Sequence, residues 1–194
     1  FPVHDRADPF WAEASRTGFI GVGGYVAATP DRPFTLGEIF RQLTAGNARA
    51  RLPRIVAARA REGRPLPGPV VAALTDFTSS SENTFASVRQ SITTRMGLWL
   101  NPRIDKITSA NDFSWGDIRR RPHAVYVVAN SDDIPTLSPL LRLMFGELIA
   151  TMRAHIPDPT TEPWPVQIIL DEFDQLGPMP IIVQSLKQLA GHGV

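Results

Sequence analysis

Two adjacent acids, Asp171 and Glu172, close the apolar run "VQIIL" within "VQIILDEFDQLGPM". A carboxylate at the end of a buried segment is hard to explain as packing, because an unpaired buried charge is costly. It makes sense where a divalent cation or a polarised water sits opposite. In open parallel sheets, ligands bind outside the carboxyl ends of the strands. At that point in P-loop nucleotidases the first acid holds magnesium, usually through water, and the next orients or deprotonates the attacking water. An apolar run followed by "DE" is a weak signal by itself, since many α/β proteins place an acid at a strand tip to cap the next helix. No G-x-x-x-x-G-K-[ST] phosphate cradle occurs in the chain, and "GVGG" at 21–24 lacks the lysine.

The elements that must position this pair follow from the pattern around it. "HAVYVVAN", 123–130, and "VQIIL", 166–170, are short and β-branched, which predicts two buried strands. Ser138-Pro139 predicts a helix start between them, and 180–189 reads as a further helix. Strand, helix, strand at this spacing predicts a βαβ unit with parallel strands. Upstream the chain reads as helical. Asp8-Pro9 opens a helix running to about Ala28. Its glycines, Gly18, Gly21, Gly23 and Gly24, either weaken it or let another helix pack close. Thr35 and Glu38 form a capping-box pattern for a helix over 36–43, and Ser79 with Glu82 repeats the spacing. Phe85, Val88, Ile92, Met96 and Trp99 form one apolar face, which reads as core rather than a ligand box. Asn101-Pro102 ends that helix.

A further helix, interrupted near Pro53 and closed by Gly63, carries Arg49, Arg51, Arg54, Arg59, Arg61 and Arg64. This run reads either as a solvated face or as a surface for phosphate or an acidic partner. "RRRPH", 119–123, reads as a solvated turn before a strand rather than a nucleic-acid contact, and in a hexamer as a face toward a neighbour. "PLPGP" is a turn.

Composition narrows the classes. The 194 residues are 43% hydrophobic with a net charge of +1, which fits one ordinary domain or two small ones and argues against a generally basic nucleic-acid binder. The absence of cysteine excludes disulfides, thiol catalysis and cysteine metal sites. His4, His123, His155 and His192 have no ligand spacing. No apolar run approaches the roughly 18–20 residues of a membrane span. The beginning, "FPVHDRADPFW", is not a signal peptide. Both ends read as cut, so the chain is expected to be a piece of something longer.

The longer string "LDEFDQLGPMPIIVQSLKQLAGHGV", 170–194, resembles the Walker B region of the type IV secretion coupling proteins, the TraG/TraD family, whose pattern is close to L-D-E-F-x-x-L-G, then a helix, then A-G-Y-G. His192 stands where the aromatic is expected. "DPFWAEASRTGFIGVGGYV" with "FTLGEIFRQL", then "NPRIDKITSANDFSWGDIRR", then "VYVVANSDDIPTLSPLLRLMFGELI" resemble further stretches of the family in the same order. The resemblance implies an α/β fold, a RecA-like P-loop nucleotidase portion with an all-α helical insertion domain, mostly helical overall. The division it implies is 1–112 as all-α substrate-recognition domain and 113–194 as partial nucleotide-binding domain, with Walker A upstream of Phe1.

Asp171 is thereby implied as the cofactor-binding residue that holds magnesium through water, and Glu172 as the catalytic residue that acts on the attacking water. ATP and Mg2+ are cofactors of the intact protein, and neither is expected to bind this piece tightly. The implied partners are a relaxase–DNA complex (the relaxosome) or secreted effector proteins, other type IV secretion components, and further copies in a homo-hexamer, with the piece itself a monomer. The implied location is the cytoplasmic side of the bacterial inner membrane. The alternatives are an isolated all-α cargo-binding module with no activity of its own, or a piece of another RecA-like DNA translocase such as the FtsK type.

Overall fold

The computed structural model describes residues 9–171 and 173–194, the side chain of Phe173 excepted. The chain divides into two compact units, the first ending at Ala110 and the second spanning Asn111–Val194.

The first unit is built from α1 (Pro9–Ala27), α2 (Leu36–Thr44), α3 (Ala48–Arg61), α4 (Gly68–Ser79), α5 (Glu82–Arg95) and the short α6 (Pro102–Ile107). The helix α1 lies centrally and packs on α2, α4 and α5. Its glycines are what allow α4 to approach. A methyl group at Gly24 would stand 2.5 Å from Val70 Cγ2, and one at Gly18 would stand 2.8 Å from the Phe77 ring. The cost of glycine in a helix interior is therefore offset by close packing. Val22, Val26, Leu43, Leu52, Leu74 and Ile92 close over this seam as one buried core. Four residues of the stripe read from the sequence, Phe85, Val88, Ile92 and Met96, are in it, and Trp99 packs against it.

Caps set most of the boundaries. Thr35 accepts from the Glu38 backbone N–H at 3.1 Å and starts α2. Asn47 does the same for α3 through Ala50, at 3.2 Å. Gly63, at φ +70°, closes α3. Several expectations are corrected. The helix α3 runs unbroken through Pro53. The cap of α5 is Ser81, which accepts from Thr84 N–H, and not Ser79, which ends α4. The helix α5 stops at Arg95; a 3-10 turn follows, and Asn101-Pro102 opens α6. The helix α4 itself went unread.

The second unit corrects the expected fold class. Among the described residues there is no strand and no sheet, so the chain is all-helical and carries no RecA-like α/β portion. Two helices, α7 (Ile134–Arg153) and α8 (Pro180–Leu189), are joined by 3-10 turns and irregular segments. The expected strands at 123–130 and 166–170 are not strands. Strand formation needs a partner backbone, and these segments form no ladder with each other or with any other described segment. Their side chains are correspondingly open: Tyr126 is 86% exposed, Val128 91% and Ile169 81%. β-Branched composition set the expectation, but pairing decides the state.

The helix α7 begins at Ile134, four residues before the expected start, with Pro135 in its first turn and Pro139 inside it. Ile134, Ser138, Leu148, Ile149 and Met152 are its buried face. The helix α8 spans the expected residues.

Candidate functional site

Asp171 is exposed and sits in a bend after the extended segment that ends at Leu170. It lines the mouth of a cavity of about 430 Å3 whose walls are Leu141, Phe145 and Leu148 of α7 and the segments around 125–129 and 165–170. Glu172 lies outside the described residues. The acidic pair is therefore seen at one of its two positions.

One carbonyl of the turn after the pair is held from α7 by three hydrogen bonds. Leu176 ends the 3-10 turn Phe173–Leu176, and its side chain is buried with Ile134 and Met179. Its carbonyl oxygen accepts from Ser138 Oγ at 3.1 Å and from Arg142 Nε and Nη2 at 2.7 and 2.5 Å. Ser138 and Arg142 are four residues apart, hence on one face of α7. Gly177 then turns at φ +68°, where a side chain is strained, and a methyl group there would stand 2.5 Å from Arg142 Nη2. The "LG" of the motif thus has a local physical role: the leucine anchors the turn, and the glycine leaves room for the arginine that holds it.

A second arginine, this one buried, ties the far end of this unit. Arg119 is 1% exposed. Its Nη2 donates to the carbonyls of Met152, at 3.1 Å, and of His192. Burial pushes its guanidinium below the usual value, and the nearby Glu162 charge opposes that shift. Glu162 is itself buried and meets His155 Nε2 at 2.6 Å. The expectation that 119–123 is a solvated turn therefore fails at Arg119, while Arg120 and Arg121 are exposed. His192, which replaces the expected aromatic, uses Nδ1 toward the Gln188 carbonyl at 2.7 Å. Neither Arg119 nor Arg142 was singled out from the sequence. The Ser138–Arg142 spacing on a helix that precedes a "LG" turn is the one signal that could have found Arg142.

In the first unit the arginine run of α3 resolves into two groups. Arg49 donates to the Ser80 carbonyl at 2.8 Å, Arg59 to the Ala28 carbonyl at 2.6 Å, and Arg51 to Gln42 Oε1 at 2.7 Å. Arg49 and Arg59 thereby satisfy carbonyls just past the ends of α4 and α1. Arg54, Arg61 and Arg64 are exposed. Beside this run, the buried carboxylate of Glu38 accepts from Arg32 and Gln42 at 2.7 Å and from Arg41 at 2.9 Å. Burial pushes the Glu38 carboxyl up. The hydrogen bonds from Arg41, Gln42 and Arg32 outweigh that and leave it below its ordinary value.

Among the described residues no three histidine or acidic side chains gather as a metal site. Asp171, the described member of the acidic pair, offers a hard oxygen donor. That chemistry fits magnesium, which takes one or two carboxylates and completes its shell with water and phosphate oxygens. No helix among the described residues is long and apolar enough to cross a membrane.

With these features in place, comparison with known proteins assigns the class. The chain matches the family described as type IV secretory system conjugative DNA transfer over residues 4–194, and it belongs to that family. The resemblance to the coupling proteins read from the motifs is borne out. The chain is similar to Protein VirD4 of Rhizobium radiobacter, 34% identical over 97 residues, which is 50% of this chain and 14% of that protein. It is similar to Protein VirD4 of Agrobacterium fabrum at 32% over 97 residues, again 50% and 14%. The Conjugal transfer protein TraG of Escherichia coli is 24% identical over 132 residues, 64% of this chain and 21% of that protein. The matched stretches are thus a minor part of each relative's length.

Proposed function

We propose that this chain is part of a coupling ATPase that recruits a relaxase–DNA complex or secreted effector proteins and uses ATP hydrolysis to drive conjugative transfer. The observation that carries this reading is the family match across residues 4–194. The acidic pair supports it. Asp171 would hold magnesium at the cavity mouth, and Glu172 would orient and deprotonate the attacking water. Bound magnesium would supply charge neutralisation on the phosphate oxygens during transfer. What the chain's own residues do is position: Leu176, Gly177 and Arg142 fix the turn that follows the pair. The assembly is a homo-hexamer with other type IV secretion components, at the cytoplasmic side of the inner membrane.

A second reading is favoured by charge. Residues 9–110 carry thirteen basic and seven acidic side chains, whereas 111–194 carry six and ten. The near-neutral total hides a basic helical unit with its own closed core. That unit suits a cargo-binding module, with hydrolysis left to the rest of the protein.

The two readings separate in a mating assay. Glu172→Gln and Asp171→Asn are introduced into the full-length protein, and transfer frequency is counted in a strain lacking the native copy. The ATPase reading expects both variants to lower transfer by at least about 100-fold, the scale on which a positioned general base acts. Normal transfer with both variants refutes it and leaves the module.

A further inference from the structure

A groove in the helical unit has no part in the nucleotide chemistry. It is a cavity of about 470 Å3 between the start of α3 and the first half of α5. Arg49, Glu82, Phe85, Ala86 and Arg89 line it. Glu82, Phe85, Ala86 and Arg89 recur at helical spacing, so they form one face of α5. Seven residues separate the acid from the base, a run of about 10 Å along the helix. Arg89 is half-buried and has no hydrogen-bond or ion-pair partner among the described residues. Arg49 is anchored by Nη2 on the Ser80 carbonyl, yet its Nε is shut off from solvent with no acceptor. Arg49 therefore contributes its charge to the groove wall, while the half-buried Arg89 supplies the donor that an incoming acceptor can reach.

We infer that this groove binds a short peptide segment of a cargo protein, carrying a carboxylate for Arg49 and Arg89 and a basic side chain for Glu82. The inference rests on the recruiting role proposed above. Two observations favour a peptide over a nucleic-acid strand. Glu82 in the same groove repels a uniformly anionic backbone but complements a chain of mixed charge. The aromatic floor, Phe85, is only 6% exposed and offers no ring face on which a base could stack. An extended peptide rises about 3.3 Å per residue, so a glutamate and a lysine three positions apart span the α5 face.

The probes are two alanine-flanked dodecapeptides with Glu and Lys three positions apart, one in each order, and the oligonucleotide dT12. Binding to the 194-residue chain is followed by amide chemical shifts, and sedimentation reports self-association. One peptide is expected to shift amides at 46–50 and 82–89. Arg89→Gln, which breaks no existing contact, weakens that peptide about 10-fold or more, on the scale of one charge-assisted hydrogen bond. Glu82→Gln also weakens it and admits dT12. No shift with either peptide, undiminished binding to Arg89→Gln, or binding of dT12 alone to the wild type each overturns the inference. Shifts that track self-association overturn it in favour of a contact between copies. If Arg89→Gln loses the peptide in vitro while transfer stays normal in the mating assay, the groove stands and its cargo role falls. If no peptide binds while Glu172→Gln still stops transfer, the groove falls and the ATPase reading stands.

Discussion

Gly177→Ala is the substitution whose cost can be worked most fully from the structure. An alanine at φ +68° pays about 1–2 kcal/mol for left-handed backbone. Its methyl group would also meet Arg142 Nη2 at 2.5 Å, so the guanidinium must leave. That breaks the two hydrogen bonds from Arg142 to the Leu176 carbonyl. Ser138 still holds that carbonyl, and Arg142 is exposed, so the loss belongs at the low end, about 0.5–1 kcal/mol. The sum is about 1.5–3 kcal/mol of destabilisation in the second unit. Gly146→Ala is the control. Gly146 lies inside α7 with nothing near a would-be methyl, so the same change there should stabilise by about 0.5–1 kcal/mol. Urea unfolding followed by the fluorescence of Trp115 and Trp164 reads both variants. A Gly177→Ala protein within about 0.5 kcal/mol of wild type, below the typical cost of a disrupted special backbone position, would refute the reasoning. In an Arg142→Ala background the steric part vanishes, so the two changes should be less than additive.

Two further outcomes follow from the helical unit. The Glu38 carboxyl is held below its ordinary value, so its contribution is present above the unfolded carboxylate pKa and is lost as pH falls through the folded one. The stability gap between wild type and Glu38→Gln should therefore narrow in a melting series taken from pH 6 down to acid, and a gap that widens would contradict the network. Arg59→Ala removes a donor from the Ala28 carbonyl and should cost about 1 kcal/mol in urea unfolding, whereas Arg54→Ala should stay within about 0.5 kcal/mol; equal effects would show that the arginine run does not divide as described.

Much of the helical unit was legible because caps and stripes are local signals. Pro9, Thr35 and Gly63 mark boundaries through their own backbone chemistry, and the stripe from Phe85 to Met96 needs no distant partner to be read. The helix α4 was missed because its cap, Pro67, makes no side-chain hydrogen bond and its first turn carries two valines, which favour strands. The strand expectation failed for the converse reason. The apolar run "VYVV" states a preference for extended backbone, but a strand also needs a neighbour, and that is not local information. Arginines were the least legible residues. Arg59 and Arg54 look alike in the sequence, yet one reaches the Ala28 carbonyl and the other faces solvent. Arg119 reads as part of a charged turn and lies buried among carbonyls from other parts of its unit. The acidic pair was legible as chemistry, and the anchoring of the turn behind it became visible only with α7 in place.

The most direct test of the coupling-ATPase account is ATP turnover by the purified full-length protein carrying Glu172→Gln, measured with magnesium alongside nucleotide binding. The account predicts that binding is retained while turnover falls by at least about 100-fold. Turnover at the wild-type rate would contradict it.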